Sequence, residues 1–325
     1  MSDAALAPRG LHHATAFAGD PQENIDFYVG VLGLRLVKRS VNQDAPDTYH
    51  LFYADGDGTP GTDLTFFPMP GVPGREPGVG QIVELGLGVP TGSLDYWEER
   101  LRAHDVTVRE RETRFGEATL PFVDPHGLWL ALVATDDARD GAPWTDSPVP
   151  ATHQIKGMHA ARLWERTLGP TETLLTDVMG FEKLGEENGW HRYSSRGGHS
   201  GSIVDIELHP NKQRSRGGPG SMHHIAWRMR DDAHELATRA AVQDAGLRPT
   251  EQIDRFWFRS VYFREPGGAL FELATDDPGF TRDEAADALG EALILPPWLE
   301  EKRDQIEAAL PPLTIPRPTP ARASE

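Results

Sequence analysis

The sequence predicts an α+β protein made of four βαβββ units paired into two barrel-like domains. Three observations predict it. Segments opening at Gly10, Gly80, Gly157 and Gly220 each begin as a short strand-like run and continue into a helical stretch. GLHHATAFAGDPQENIDFYVGVLGLRLVKRS from Gly10 and GMHAARLWERTLGPTETLLTDVMGFEKLGEE from Gly157 share a Gly-apolar-His start and a VLG or VMG helix end. FVDPHGLWLALVATDD from Phe122 aligns with FREPGGALFELATDD from Phe263, each with an acid-Pro-x-Gly turn feeding an apolar strand.

Each unit follows from its local chemistry. Gly33 and Gly180 fall where a left-handed residue ends a helix. GQIVELGLGV leads into LDYWEERLRAHDV, and GSMHHIAWRM leads into AHELATRAAVQDAGL, each a strand followed by an amphipathic helix. The units run over residues 9–75, 76–137, 153–215 and 219–277. These give an N-terminal domain, 1–142, of units one and two, and a C-terminal domain, 153–280, of units three and four. The Pro-rich stretch from Pro143, residues 143–152, links them. Residues 281–325 form a tail with a short helix in PPWLEEKRDQIEAAL and an extended or disordered end, PPLTIPRPTPARASE.

Composition narrows the function. The chain has 325 residues, 38% of them hydrophobic, and no run of about 18 apolar residues, so no membrane span is expected. The start, MSDAALAPRGLHHAT, lacks the cationic and apolar regions of a secretory signal. A net charge of -18 argues against nucleic acid, whose phosphates need clustered Lys and Arg. There is no cysteine, which excludes disulfides, thiolate ligands and a thiol nucleophile, and fits a reducing cytoplasm. Any bound metal must therefore be held by imidazole and oxygen.

The candidate ligands come from the repeat. His-His pairs open the first strand of unit one, His12-His13, and of unit four, His223-His224. One such pair is commonly incidental, but the same pair at equivalent places points to a metal, since neutral imidazole suits iron, zinc, copper and nickel. Glu272 sits in GALFELAT on a strand that otherwise reads as buried. An unpaired buried carboxylate is costly. It is expected on a metal or, as the plainer alternative, on an arginine such as Arg255 or Arg259. The other units act as internal controls: Ala131 and Thr65 stand opposite Glu272, and Ala160 stands opposite His13. If units one and four face each other, two His and one carboxylate form a facial set. Non-haem iron(II) oxygenases use such a set to hold substrate and O₂ together.

These residues resemble the vicinal oxygen chelate superfamily of glyoxalase I and the type I extradiol dioxygenases. The resemblance is nearest to the hydroquinone ring-cleaving branch that includes 2,6-dichlorohydroquinone 1,2-dioxygenase. It spans nearly all of residues 9–280, most specifically in GLHHATAFAGDPQENIDFYVGVLGLRLVKRSVNQD, TYHLFYADGDGTPGTDLTFFP, SMHHIAWR and DRFWFRSVYFREPGGALFELATDDPGF. It implies a dioxygenase whose Fe(II), with Mn(II) as the alternative, is held by His13, His224 and Glu272. It also implies His12, Thr15, His223, Arg255 and Tyr262 around that ion, and a small aromatic substrate with O₂ as partners. A homo-oligomer stays open.

Residue geometry supports part of this set. In SVYFREPGGALFEL a turn centred on Gly267 sets Tyr262 opposite Glu272, on one face of a hairpin. Thr15 shares strand parity with His13. His12 and His223 do not fit a regular strand, where neighbours face opposite sides, so they require an irregular strand start. Two rival functions share the scaffold: a glyoxalase-like isomerase or lyase, whose fourth ligand would stand where Thr65 stands, and a non-catalytic small-molecule binding protein.

Overall fold

The computed structural model describes residues 6–137 and 141–316. Unit one supplies β1 (Leu11–Ala18), β2 (Arg35–Asn42), β3 (Ala45–Ala54) and β4 (Asp63–Pro68). Unit two supplies β5 (Gln81–Val89), β6 (Thr107–Val108), β7 (Glu112–Arg114), β8 (Glu117–Val123) and β9 (Trp129–Ala134). Unit three supplies β10 (Gly157–Glu165), β11 (Glu182–Glu187), β12 (Trp190–Ser194) and β13 (Ile203–Leu208). Unit four supplies β14 (Met222–Met229), β15 (Ile253–Asp254), β16 (Arg259–Arg264) and β17 (Leu270–Thr275). In every unit a helix follows the first strand.

The helix starts and ends obey the local chemistry. Asp20 caps the first helix by accepting from Gln22 N at 2.8 Å and Glu23 N at 3.0 Å, with Pro21 at its first turn. Gly33 and Gly180 take φ of 71° and 67° as the chain leaves the helices of units one and three. Both helices finish in a π-turn that the sequence did not foretell: Leu32 N donates to Phe27 O and Met179 N to Leu174 O, five residues back. The C-terminal helix is present as a 3₁₀ turn, Pro297–Lys302, continued by an α-helix, Arg303–Ala309. The end of the tail beyond residue 316 lies outside the described residues.

The strands form two curled sheets. One runs β15-β16-β17-β14-β1-β4-β3-β2 and the other β11-β12-β13-β10-β5-β9-β8-β6. The first therefore joins unit one to unit four, and the second joins unit three to unit two. The split into N- and C-terminal domains of adjacent units, 1–142 and 153–280, does not follow the sheets. The first strand of each unit has a free edge, and β1 fills its own against β14 across the chain rather than against its neighbour β5. Equivalent pairing joins β10 to β5. Hydrophobic side chains from both sheets and from the helices, among them Trp97, Trp227, Leu132 and Phe271, fill the interior. Each such burial contributes about 1.5–3 kcal/mol.

The β1–β14 seam carries two irregularities that position the site. Leu11 pairs with Trp227 and His13 with Ala226, so His12 is an extra residue; Thr15 pairs with His224 and Ala16 with Met222, so His223 is another. A bulge turns the extra side chain away from strict alternation. This is the irregular strand start that both His-His pairs require.

Candidate metal centre

Three buried side chains from three strands converge at this seam. His13 stands on β1, His224 on β14 and Glu272 on β17. His224 Nε2 lies 2.8 Å from Glu272 Oε2, His13 Nε2 lies 3.2 Å from the same oxygen, and the two Nε2 atoms are 3.1 Å apart. Among the described residues these form the one group of three or more His, Asp or Glu whose ligand atoms all lie within 4.8 Å of one another. Three donors on one octahedral face, each about 2.1 Å from a shared ion, stand roughly 3.0 Å from each other. The observed edges match that spacing.

The other ring nitrogens are already engaged. His12 Nδ1 contacts His13 Nδ1 at 2.9 Å, and His223 Nδ1 contacts His224 Nδ1 at 2.7 Å. Each pair thus uses its first His to fix the ring of the second, leaving Nε2 to face the triad. Burial holds His224, His12 and His223 below the ordinary imidazole range, His223 at about 3. Burial alone would raise the Glu272 carboxyl, but the two imidazoles beside it outweigh that and keep it well below the usual range. A carboxylate that ionises easily and a His224 imidazole that gives up its proton easily suit metal binding, which requires deprotonated donors. Glu272 Oε1 accepts from Ser260 Oγ at 2.5 Å. Among the described residues no arginine takes the carboxylate: Arg255 pairs with Asp44 at 3.0 Å and Arg259 with Asp232. The salt-bridge alternative therefore fails.

The remaining candidates gather around this group. Tyr262 pairs directly with Glu272 across the β16–β17 hairpin. Burial and then the Glu272 charge push its phenol up, so it keeps its proton. The Arg255 guanidinium carbon lies 5.3 Å from the Tyr262 ring. Thr15 Oγ1 is 3.0 Å from His224 Nε2, as strand parity required. His13, His223, His224, Arg255 and Tyr262 open onto a cavity of about 450 Å³ whose walls include Phe52, Phe67, Trp257 and Phe258. His12 does not line it. A wider cleft of about 860 Å³ beside the linker and tail shares no lining residue with this cavity.

Sequence reasoning missed His50 and Ser260. His50 is a polar residue inside the apolar run TYHLFY, which is a signal, but its bond to Thr65 depends on how β3 packs on β4. Ser260 reaches Glu272 diagonally across the hairpin and carries no sequence mark.

The internal controls hold in three dimensions. Thr65 pairs with Thr15 in β4 as Glu272 pairs with Ala226 in β17. In the second sheet Ala131 pairs with Gly86. The matching interior there is filled by ion pairs, including Arg192 Nε with Asp205 Oδ1 at 2.8 Å and Arg114 with Glu84. Among the described residues only the first sheet carries the ligand set, and Thr65 supplies no carboxylate as a fourth ligand.

Comparison with known proteins agrees with this geometry. Residues 10–132 match the model of the Glyoxalase/Bleomycin resistance protein/Dioxygenase superfamily. The chain is 43% identical to MhqO of Bacillus subtilis, which is assigned as a ring-cleaving dioxygenase, over 94% of this chain and 97% of that one. It is 32% identical to a chlorohydroquinone/hydroquinone 1,2-dioxygenase of Sphingobium indicum, over 91% and 94% of the two chains. A crystal structure of a Bacillus subtilis protein assigned as a dioxygenase superposes with a TM-score of 0.91 at 42% identity, covering 95% of this chain and 99% of that one. With the fold, the seam and these relatives in agreement, the chain belongs to the ring-cleaving dioxygenases of the glyoxalase, bleomycin resistance protein and dioxygenase superfamily.

Proposed function

We propose that the protein opens the aromatic ring of a hydroquinone with O₂, using iron(II) held by His13, His224 and Glu272. The observation that carries this is the triad itself: three donors spaced 2.8–3.2 Å apart, with His13 and His224 facing an aromatic-walled cavity and Glu272 buried beside them. The hydroquinone assignment comes from the Sphingobium indicum relative. When bound, the ion supplies Lewis acidity and adjacent open positions for a substrate hydroxyl and O₂. Manganese(II) suits the same donors.

The protein's own groups do the rest. Phe52, Phe67 and Phe258 exclude water and stack around a ring, in a cavity within the usual range of about 300–1,000 Å³ for small-molecule sites. Arg255, a permanent cation, orients the substrate and stabilises negative charge on its oxygens. Tyr262 keeps its proton and donates a hydrogen bond to the same oxygens. His223 lines the cavity whereas His12 does not, so His223 is the acid-base of the two. His12 fixes His13. We place the enzyme in the cytoplasm, consistent with its lack of cysteine.

The test is anaerobic chelation, reconstitution with iron(II) or manganese(II), and oxygen uptake against a panel of hydroquinones and catechols. The proposal expects no uptake by chelated protein, and one O₂ per ring with a hydroquinone after reloading. Fully loaded protein that consumes no oxygen with any dihydroxybenzene would end it.

A further inference from the structure

We propose that Asp44 makes the cavity selective for hydroquinones without an anionic substituent, by occupying the one permanently cationic side chain such a substituent could meet there. The inference rests on the hydroquinone reading above. Among the described residues lining the cavity, Arg255 is that cation and Asp44 the one carboxylate. Arg255 Nη2 donates to Asp44 Oδ2 at 3.0 Å.

The fold brings the two together from opposite ends of one sheet. Asp44 lies in the turn between β2 and β3, and Arg255 directly follows β15. β2 and β15 are the edge strands of the first sheet, so its curl joins the two edges at this ion pair. The pair sits on a framework that does not depend on the Asp44 side chain. Asn42 Oδ1 accepts from Asp44 N at 3.0 Å, which shapes the turn. Gln43 Nε2 donates to Arg255 O at 2.9 Å, and Arg255 N donates to Phe258 O at 3.0 Å. Replacing the Asp44 carboxylate by an amide therefore changes the charge and leaves the backbone tied on both sides.

The selection follows from desolvation. Much of the remaining wall is apolar, including Phe52, Phe67, Ile253 and Leu270. An anionic substituent that enters loses water, and a counter-charge is needed to offset that loss. With a ring hydroxyl at the triad, the Arg255 guanidinium is the counter-charge left for a substituent. Asp44 already neutralises it, and the Tyr262 phenol beside it keeps its proton. A ring bearing a sulfonate or carboxylate must displace Asp44 or stay uncompensated. A ring bearing hydrogen, alkyl or halogen makes no such demand. The Asp44 side chain is 74% exposed and that of Arg255 18%, so water screens the pair from one side and the discrimination is modest.

The test measures binding by calorimetry on anaerobic, iron-loaded protein. The two probes are hydroquinone and hydroquinone sulfonate, the same ring with a permanently anionic and weakly coordinating substituent. Wild-type protein is expected to bind hydroquinone more tightly. Asp44→Asn is expected to raise the ratio of sulfonate to hydroquinone affinity by about 3-fold or more at low salt. That gain should shrink at about 0.5 M salt, because an unpaired guanidinium is screened. Asp44→Glu, which restores the charge, should return the ratio towards wild type. An unchanged ratio in Asp44→Asn, or the same rise in Asp44→Glu, overturns the selection, as does wild-type protein that binds the sulfonate as tightly as hydroquinone. Wild-type protein that binds neither probe would instead overturn the hydroquinone reading, and the selection with it.

Discussion

Replacing Glu272 by Gln is expected to strip most of the metal from the protein and to lower ring-cleaving turnover by more than about 100-fold, beyond the 10–100-fold typical of losing an outer-shell partner. Gln keeps the size of the side chain and can still accept from Ser260, which bonds Glu272 Oε1 at 2.5 Å. What it loses is the negative charge at Oε2, 2.8 Å and 3.2 Å from the two imidazoles. A divalent ion held by two neutral imidazoles and an amide would keep its full charge in a fully buried site, where uncompensated charge is expensive. The check is metal content by elemental analysis alongside oxygen uptake. Wild-type metal content and rate in this variant would remove Glu272 from the centre.

Lys38→Met is expected to loosen the segment that backs Trp257, with a loss on the order of 3 kcal/mol. Lys38 is fully buried on β2 and donates to Asp283 Oδ1 at 2.7 Å, to Glu284, and to Phe280 O at 3.2 Å. Removing the ammonium leaves two carboxylates facing each other with no counter-charge, and breaking a buried pair from one side is among the costlier substitutions. The effect reaches the site because Asp283 also accepts from Trp257 Nε1 at 2.9 Å, and Trp257 is a cavity wall beside Arg255 and Phe258. Hydrogen exchange is the readout. Amides of residues 254–258 and 276–291 should exchange faster while the second sheet is unchanged. Unaltered protection in both segments would show that Lys38 does not hold them.

Much of the site was legible because it depends on short-range rules. The Tyr262–Glu272 register follows from counting back from one turn, and Thr15 from strand parity with His13. The repeat supplied its own controls at Thr65, Ala131 and Ala160, which need only alignment within the chain. What escaped depends on partners distant in sequence. Alternation set His12 and His223 against the metal side. The bulges that re-aim them arise only when β1 meets β14, with His13 and His224 separated by 211 positions. The pairing of units one and four, rather than one and two, is a choice between equivalent strand edges that local sequence does not encode. His50 shows its polarity in TYHLFY, but not its bond to Thr65. The contacts of Lys38 lie 245 and 246 residues away, on a tail segment whose composition reads as loop.

The central claim is that one divalent ion sits between His13, His224 and Glu272. Anomalous diffraction from crystals of anaerobically iron-loaded protein tests it most directly. The account predicts a single strong iron peak about 2.0–2.2 Å from His13 Nε2, His224 Nε2 and Glu272 Oε2, with no protein ligand opposite them. An iron peak elsewhere, or a loaded crystal with none at this seam, would contradict it.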